Sequence, residues 1–154
     1  MIPLSVISAA TQSHKRFFPY GPFVSVILAQ WILESNWGRL PSGKNNYFGI
    51  KARADQVARG EFTDRWTHEV LPSGQSVKMV QRFANYNSIG AGFDAHADLL
   101  TSAHYYAAQH EQTVNEYCIA LQHAGYATDP KYASKLIDLI NKYNLKQYDP
   151  RSLA

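Results

Sequence analysis

The chain has 154 residues, 45% of them hydrophobic and 13% aromatic, which is enough apolar material for one folded domain over 1–154 and excludes a disordered chain. A formal charge of +3 without a dense Lys/Arg run, Lys15-Arg16 being only a pair, fits mild attraction to an anionic surface and argues against nucleic-acid recognition. The single Cys118 excludes an internal disulfide framework, and no stretch approaches the roughly 18 apolar residues of a membrane helix.

Residues 2–12 are expected to form a short opening helix. Pro19, Gly21 and Pro22 then punctuate the chain, and Pro22 suits the first turn of a second helix. That helix carries Phe23, Val24, Val26, Ile27, Leu28, Trp31, Ile32 and Leu33, so it is expected to be buried on most sides, with Gly38 as its stop. Leu40 to Asn46 reads as a loop, and Ala52 to Gly60 as a polar connector.

Phe62, Trp66 and Val70 alternate with Thr63, Arg65, Thr67 and Glu69, and Pro72-Ser73-Gly74 separates this run from Gln75–Phe83. The pattern predicts a β-hairpin with Glu69 on the polar face, opposite the apolar set. Ser88 can cap a helix with an inner stripe of Ile89, Phe93, Ala97 and Leu100, and Thr113 to Glu116 is a capping-box pattern for a helix ended by Gly125. Asp129-Pro130 reads as cap plus first turn of a last helix. The fold class is therefore mainly α (α+β), helices with one small β lobe.

Within the second helix Glu34 is a lone acid. Ile27, Gln30 and Trp31 lie seven, four and three residues before it and share its face. A carboxyl against apolar side chains is costly to ionise, so its pKa rises, as a general acid near neutral pH requires. The six His show no paired metal-ligand spacing, and no nucleophile elbow or phosphate-binding glycine loop occurs; no metal or cofactor is expected.

Three blocks carry a family resemblance. They are Ala29-Gln30 through Glu34-Ser35 with Trp37-Gly38; Asn45-Asn46 with Phe48-Gly49-Ile50-Lys51; and Ala124 to Pro130 with Tyr132-Ala133, while Phe83 to Ser88 is a weaker fourth. In this order they resemble the bacterial and phage glucosaminidases that include the flagellar peptidoglycan hydrolase and many autolysins. One departure is visible, since Ser88 is followed by Ile89, Gly90 and Ala91 where an acidic residue often stands.

The resemblance implies a lysozyme-like fold with the hairpin lobe flanking a cleft, and cleavage of peptidoglycan glycan strands after N-acetylglucosamine. Glu34 would be the general acid. The second group would be Glu69 on the hairpin, with Asp64 a weaker candidate, or no carboxylate at all, the substrate's own N-acetyl group attacking while Tyr126 holds it. Sugar faces stack on rings and their hydroxyls and acetamido groups need amides, which nominates Trp66, Tyr47, Phe48, Asn46 and Tyr106 as groove residues, with Gln30 and Ser35 beside the acid.

Two alternatives stand beside this reading: a muramidase or lytic transglycosylase of similar architecture, and a non-catalytic glycan-binding module. The N-terminus lacks the basic region that precedes an export signal, so the expected setting is a monomeric phage endolysin, made in the host cytoplasm and released through a holin. A domain excised from a longer exported autolysin or flagellar protein is the other possibility.

Overall fold

The computed structural model describes residues 1–150; the single-domain expectation over 1–154 runs into residues 151–154, outside the described part. Its elements are α1 (Leu4–Arg16), α2 (Val24–Ser35), α3 (Ala54–Ala58), β1 (Phe62–Val70), β2 (Ser76–Ala84), α4 (Ile89–Leu100), α5 (Tyr106–Gln109), α6 (Val114–His123) and α7 (Tyr132–Lys142). Short 3-10 turns at Ala103–Tyr105 and Leu145–Tyr148 complete the order.

Helix α2 is the axis of the molecule. From Val24 to Ile32 every side chain is buried, so it is apolar all round and has to be enclosed. Helices α1, α6 and α7 and the Leu145–Tyr148 turn pack against it. Its first turn is tied to the end of the chain, where Asp149 Oδ1 accepts the Ser25 N–H at 2.8 Å, satisfying an N-terminal donor that no local cap supplies. Helix α1 is clamped to α4 through Asp94, which accepts from Ser13 Oγ at 2.6 Å and from Arg16 at 2.8 Å.

The caps at Ser88 and Thr113 form as predicted, accepting from the backbone N–H of Ala91 and Glu116, and the Ser88 helix buries Phe93, Ala97 and Leu100. Three expectations shift. The opening helix runs on to Arg16. The connector at 52–60 contains α3, closed by the Gln56 side chain accepting the Arg53 N–H at 2.9 Å. The last helix starts at Tyr132 rather than beside Pro130, because Asp129 uses its carboxylate on the Lys131 N–H and its carbonyl on the Tyr132 N–H.

β1 and β2 pair antiparallel with Phe62 opposite Ala84 and Val70 opposite Ser76. The polar side of this hairpin turns inward. Thr63, Thr67 and Glu69 are half-buried, Phe83 on the same side is buried, and Trp66, Val70 and Val80 on the other side are exposed. The reason is local: the inner side closes over the 42–46 loop, where Arg65 donates to the Ser42 carbonyl and Thr63 to the Asn85 side chain, contacts that need polar side chains. Among the described residues no helix is long and apolar enough to cross a membrane.

Candidate active site

Glu34 sits in the last turn of α2, and the helix ends abruptly behind it. Asn36 and Trp37 take positive φ of 48° and 60°. Ser35 Oγ donates to the Trp31 carbonyl at 2.5 Å and accepts the Gly38 N–H at 2.9 Å. Gly38, at φ 78°, lies against the Trp31 ring so closely that a Cβ there would come within 2.7 Å of it, so a glycine is required on both counts. This lock fixes where the helix releases the chain and therefore where Glu34 points.

The Glu34 side chain faces an open cleft of about 420 Å³, lined with Phe48, Ile50, Lys51, Tyr105 and Tyr126. It is exposed by area because the cleft is open, yet protein crowds it on most sides, and this loss of water pushes its pKa above the ordinary 4.5. Its place at a helix C-terminus also disfavours the carboxylate. A hydrogen bond from the Tyr132 hydroxyl to Oε1, 3.0 Å long, pulls the other way and is outweighed by burial.

That hydrogen bond is the end of a chain of buried groups. Gln30 Nε2 donates to the Tyr132 oxygen at 2.9 Å, and Gln30 Oε1 meets His96 Nε2 at 2.8 Å. Gln30 and His96 are fully buried and Tyr132 nearly so. Burial alone holds His96 neutral, its pKa lowered to about 3. The His96 ring stacks on Phe48, centroids 3.9 Å apart, so the cleft floor rests on the same histidine.

Asn46 shapes the other wall. Fully buried, it donates through Nδ2 to the carbonyls of Ile50 and Ala84 at 2.8 and 2.9 Å and accepts the Ile50 N–H at 3.1 Å. Asn45 and Lys44 are fastened to Tyr86 and Asn85 in the same way, and a Cβ on Gly92 would lie 1.9 Å from the Asn45 carbonyl. The weak fourth sequence block thus anchors the second.

The predicted residues fall into separate places. Glu34, Phe48 and Tyr126 line one cleft. Tyr126 stacks on Tyr132 at 5.5 Å, and burial followed by the nearby Glu34 charge keeps its hydroxyl protonated. Gln30, Ser35 and Asn46 have their polar atoms engaged inside the protein, and Tyr47 packs on Phe93. Glu69 accepts from Thr67 Oγ1 at 3.1 Å, on the hairpin face opposite Trp66, whose ring is exposed with the Lys78 ammonium over it. Tyr106 is exposed on α5 and packs against His110. Another hollow of about 470 Å³ lies between α5 and α6, without Glu34. No group of three or more His, Cys, Asp or Glu among the described residues could hold a metal ion.

The sequence alone assigns no role to Tyr132, which lies in the third block, or to His96, one of six His without paired metal-ligand spacing. A signal was present: His96 is three residues after Phe93 and four before Leu100, on the buried stripe of α4, where a histidine needs an internal partner.

The family profile described as mannosyl-glycoprotein endo-beta-N-acetylglucosaminidase, the glucosaminidase family, matches residues 12–145. The chain is 33% identical over 138 residues to the exo-glucosaminidase LytG of Bacillus subtilis, covering 84% of this chain and 47% of the relative. It is 37% identical over 124 residues to the peptidoglycan hydrolase FlgJ of Salmonella typhimurium, covering 76% and 38%. The chain thus spans less than half the length of these curated relatives. The catalytic domain of the autolysin Auto from Listeria monocytogenes superposes with a TM-score of 0.77 at 35% identity, covering 94% of this chain and 84% of that one. The architecture is lysozyme-like, and the chain belongs to the glucosaminidase family.

Proposed function

We propose that residues 1–154 form one catalytic domain, a peptidoglycan hydrolase acting as an endo-β-N-acetylglucosaminidase, with Glu34 as general acid. The observation that carries this is a desolvated carboxyl at the floor of an open cleft, held by Tyr132. Protonated Glu34 would pass its proton to the leaving glycosidic oxygen as the bond to the N-acetylglucosamine anomeric carbon breaks through an oxocarbenium-like state. Water then supplies the hydroxyl at that carbon and returns a proton to Glu34.

For the second group, placement favours Tyr126. It lines the cleft with Glu34 and remains a phenol, able to hold the substrate's acetamido group while the acetamido oxygen attacks the anomeric carbon. Glu69 is the other candidate, its carboxylate already accepting from Thr67.

Clearing of a peptidoglycan suspension tests the reading. The wild-type chain should clear it and Glu34→Gln should not. Tyr126→Phe losing far more rate than Glu69→Gln would assign the second role, and the reverse ranking would give it to Glu69. Equal clearing by Glu34→Gln would reject the assignment of the acid, and no clearing by wild type would leave a glycan-binding module.

The setting we favour from the sequence, a monomeric phage lysis enzyme acting on the wall after holin release, is part of this proposal. The relatives support a second setting, one domain of a longer wall hydrolase, because the chain spans less than half of them.

A further inference from the structure

We propose that His96 and Gln30 are positioning residues that aim the proton of the general acid: His96 fixes the Gln30 amide, the amide fixes the direction of the Tyr132 hydroxyl, and the hydroxyl keeps Glu34 Oε1 an acceptor so that the acid proton resides on Oε2. This rests on the reading of Glu34 as the general acid.

The direction of the chain follows from satisfiability. Among the described residues His96 Nδ1 is buried without a partner. An orphaned buried N–H is rarer and costlier than an orphaned lone pair, so the ring proton belongs on Nε2. Nε2 then donates to Gln30 Oε1 across 2.8 Å. With its oxygen held, the amide presents Nε2 to Tyr132, 2.9 Å away. The Tyr132 oxygen is thereby an acceptor, and its one hydrogen goes to Glu34 Oε1 at 3.0 Å.

The consequence is chemical. A carboxylic acid can protonate a leaving oxygen only if its hydrogen is on the oxygen that faces the substrate. Were the Gln30 amide reversed, its oxygen would capture the Tyr132 hydrogen, and a protonated Glu34 could turn its own hydrogen onto the Tyr132 oxygen, away from the cleft. A neutral histidine, with burial lowering its pKa to about 3, keeps the same tautomer over the working range. Because His96 also stacks on Phe48, the cleft floor and the acid are set by one side chain.

The other polar or titratable groups toward Glu34 are Tyr132 from α7, Tyr126 from the α6–α7 loop, Tyr105 from the 3-10 turn and Lys51 from the loop before α3. None of them reaches Gln30 or His96 by a hydrogen bond except Tyr132.

The test is kcat and KM against pH on solubilised glycan strands for wild type, His96→Phe, His96→Gln, Tyr132→Phe and Gln30→Met. His96→Phe keeps an aromatic ring on Phe48 and removes only the donor. It should lower kcat about tenfold with KM within about twofold, the sign of an interaction used in the transition state. Tyr132→Phe should do the same and also move the alkaline limb of kcat to higher pH, because the Glu34 carboxylate loses its donor.

His96→Gln, which can place an N–H near the same point, should recover most of the rate. Gln30→Met removes both the acceptor facing His96 and the donor facing Tyr132 and should reproduce the loss, which keeps the proposal open to refutation if His96→Phe does not fold. A His96→Phe variant with lower Tm but unchanged kcat and pH limb, or with KM alone altered, would overturn the positioning role. Loss of activity in Glu34→Gln beside that result would leave the general acid standing, whereas an active Glu34→Gln would remove the reading beneath.

Discussion

The Tyr132 hydroxyl donates to Oε1 of Glu34 at 3.0 Å, joining residues 98 apart in the chain and tying the first turn of α7 to the last turn of α2. The donor favours the carboxylate and the burial opposes it, and burial prevails. The carboxyl therefore keeps its proton to higher pH than an exposed one, at a cost to the fold.

That cost has a sign. The folded pKa of Glu34 lies above its ordinary 4.5, so above pH 4.5 the folded state binds more protons than the unfolded one, and stability falls as pH rises through this range. Glu34→Gln should raise Tm at neutral pH, with the gain shrinking toward zero below pH 4.5. Thermal melts of the two proteins across pH 4 to 8 measure it, and an equal Tm at every pH would contradict a desolvated carboxyl.

His96 works in the opposite direction. Its folded pKa of about 3 lies below the ordinary 6.5, so its contribution is complete above pH 6.5 and lost as pH falls toward about 3. Each pH unit in that window costs about 1.4 kcal/mol. Urea unfolding at pH 7, 5 and 4 should show wild type losing stability more steeply than His96→Phe.

Asn46→Ala should destabilise by about 2–4 kcal/mol, because it takes the side-chain partner from the buried Ala84 carbonyl and from the Ile50 N–H, and leaves the Ile50 carbonyl with the Ala84 N–H alone. Denaturant unfolding measures the loss. Activity should fall further than stability explains, since Phe48 and Ile50 of the same loop line the cleft.

Gly92→Ala should cost about 1–3 kcal/mol or more, although alanine is the better helix former, because its Cβ would lie 1.9 Å from the Asn45 carbonyl. Gly90→Ala, two residues earlier, would meet only the Ser88 hydroxyl at 3.9 Å and should be neutral or mildly stabilising. Comparing the two midpoints separates packing from helix propensity.

Much of this was legible before the structure because the signals were local. Ser88 and Thr113 announce their helices through side-chain caps, the Thr63 to Val70 alternation announces a strand, and α2 announces its burial by having no polar face. Glu34 stood out for the same reason. What sequence could not supply was long-range pairing: Tyr132 lies 98 residues from Glu34, and His96 lies 66 from Gln30, so neither partnership leaves a periodic trace. The hairpin shows another limit. Alternation defines two faces but not which one turns inward, and here the loop carbonyls beneath select the polar one, leaving Trp66 outside.

Glu34 is proposed to protonate the glycosidic oxygen of the bond that follows N-acetylglucosamine. Mass spectrometry of borohydride-reduced peptidoglycan fragments, after digestion by wild type and by Glu34→Gln in parallel, tests it most directly. Reduced N-acetylglucosamine ends from wild type alone are the predicted result. Reduced muramic acid ends, anhydro products, or the same N-acetylglucosamine ends at equal rate from Glu34→Gln would contradict it.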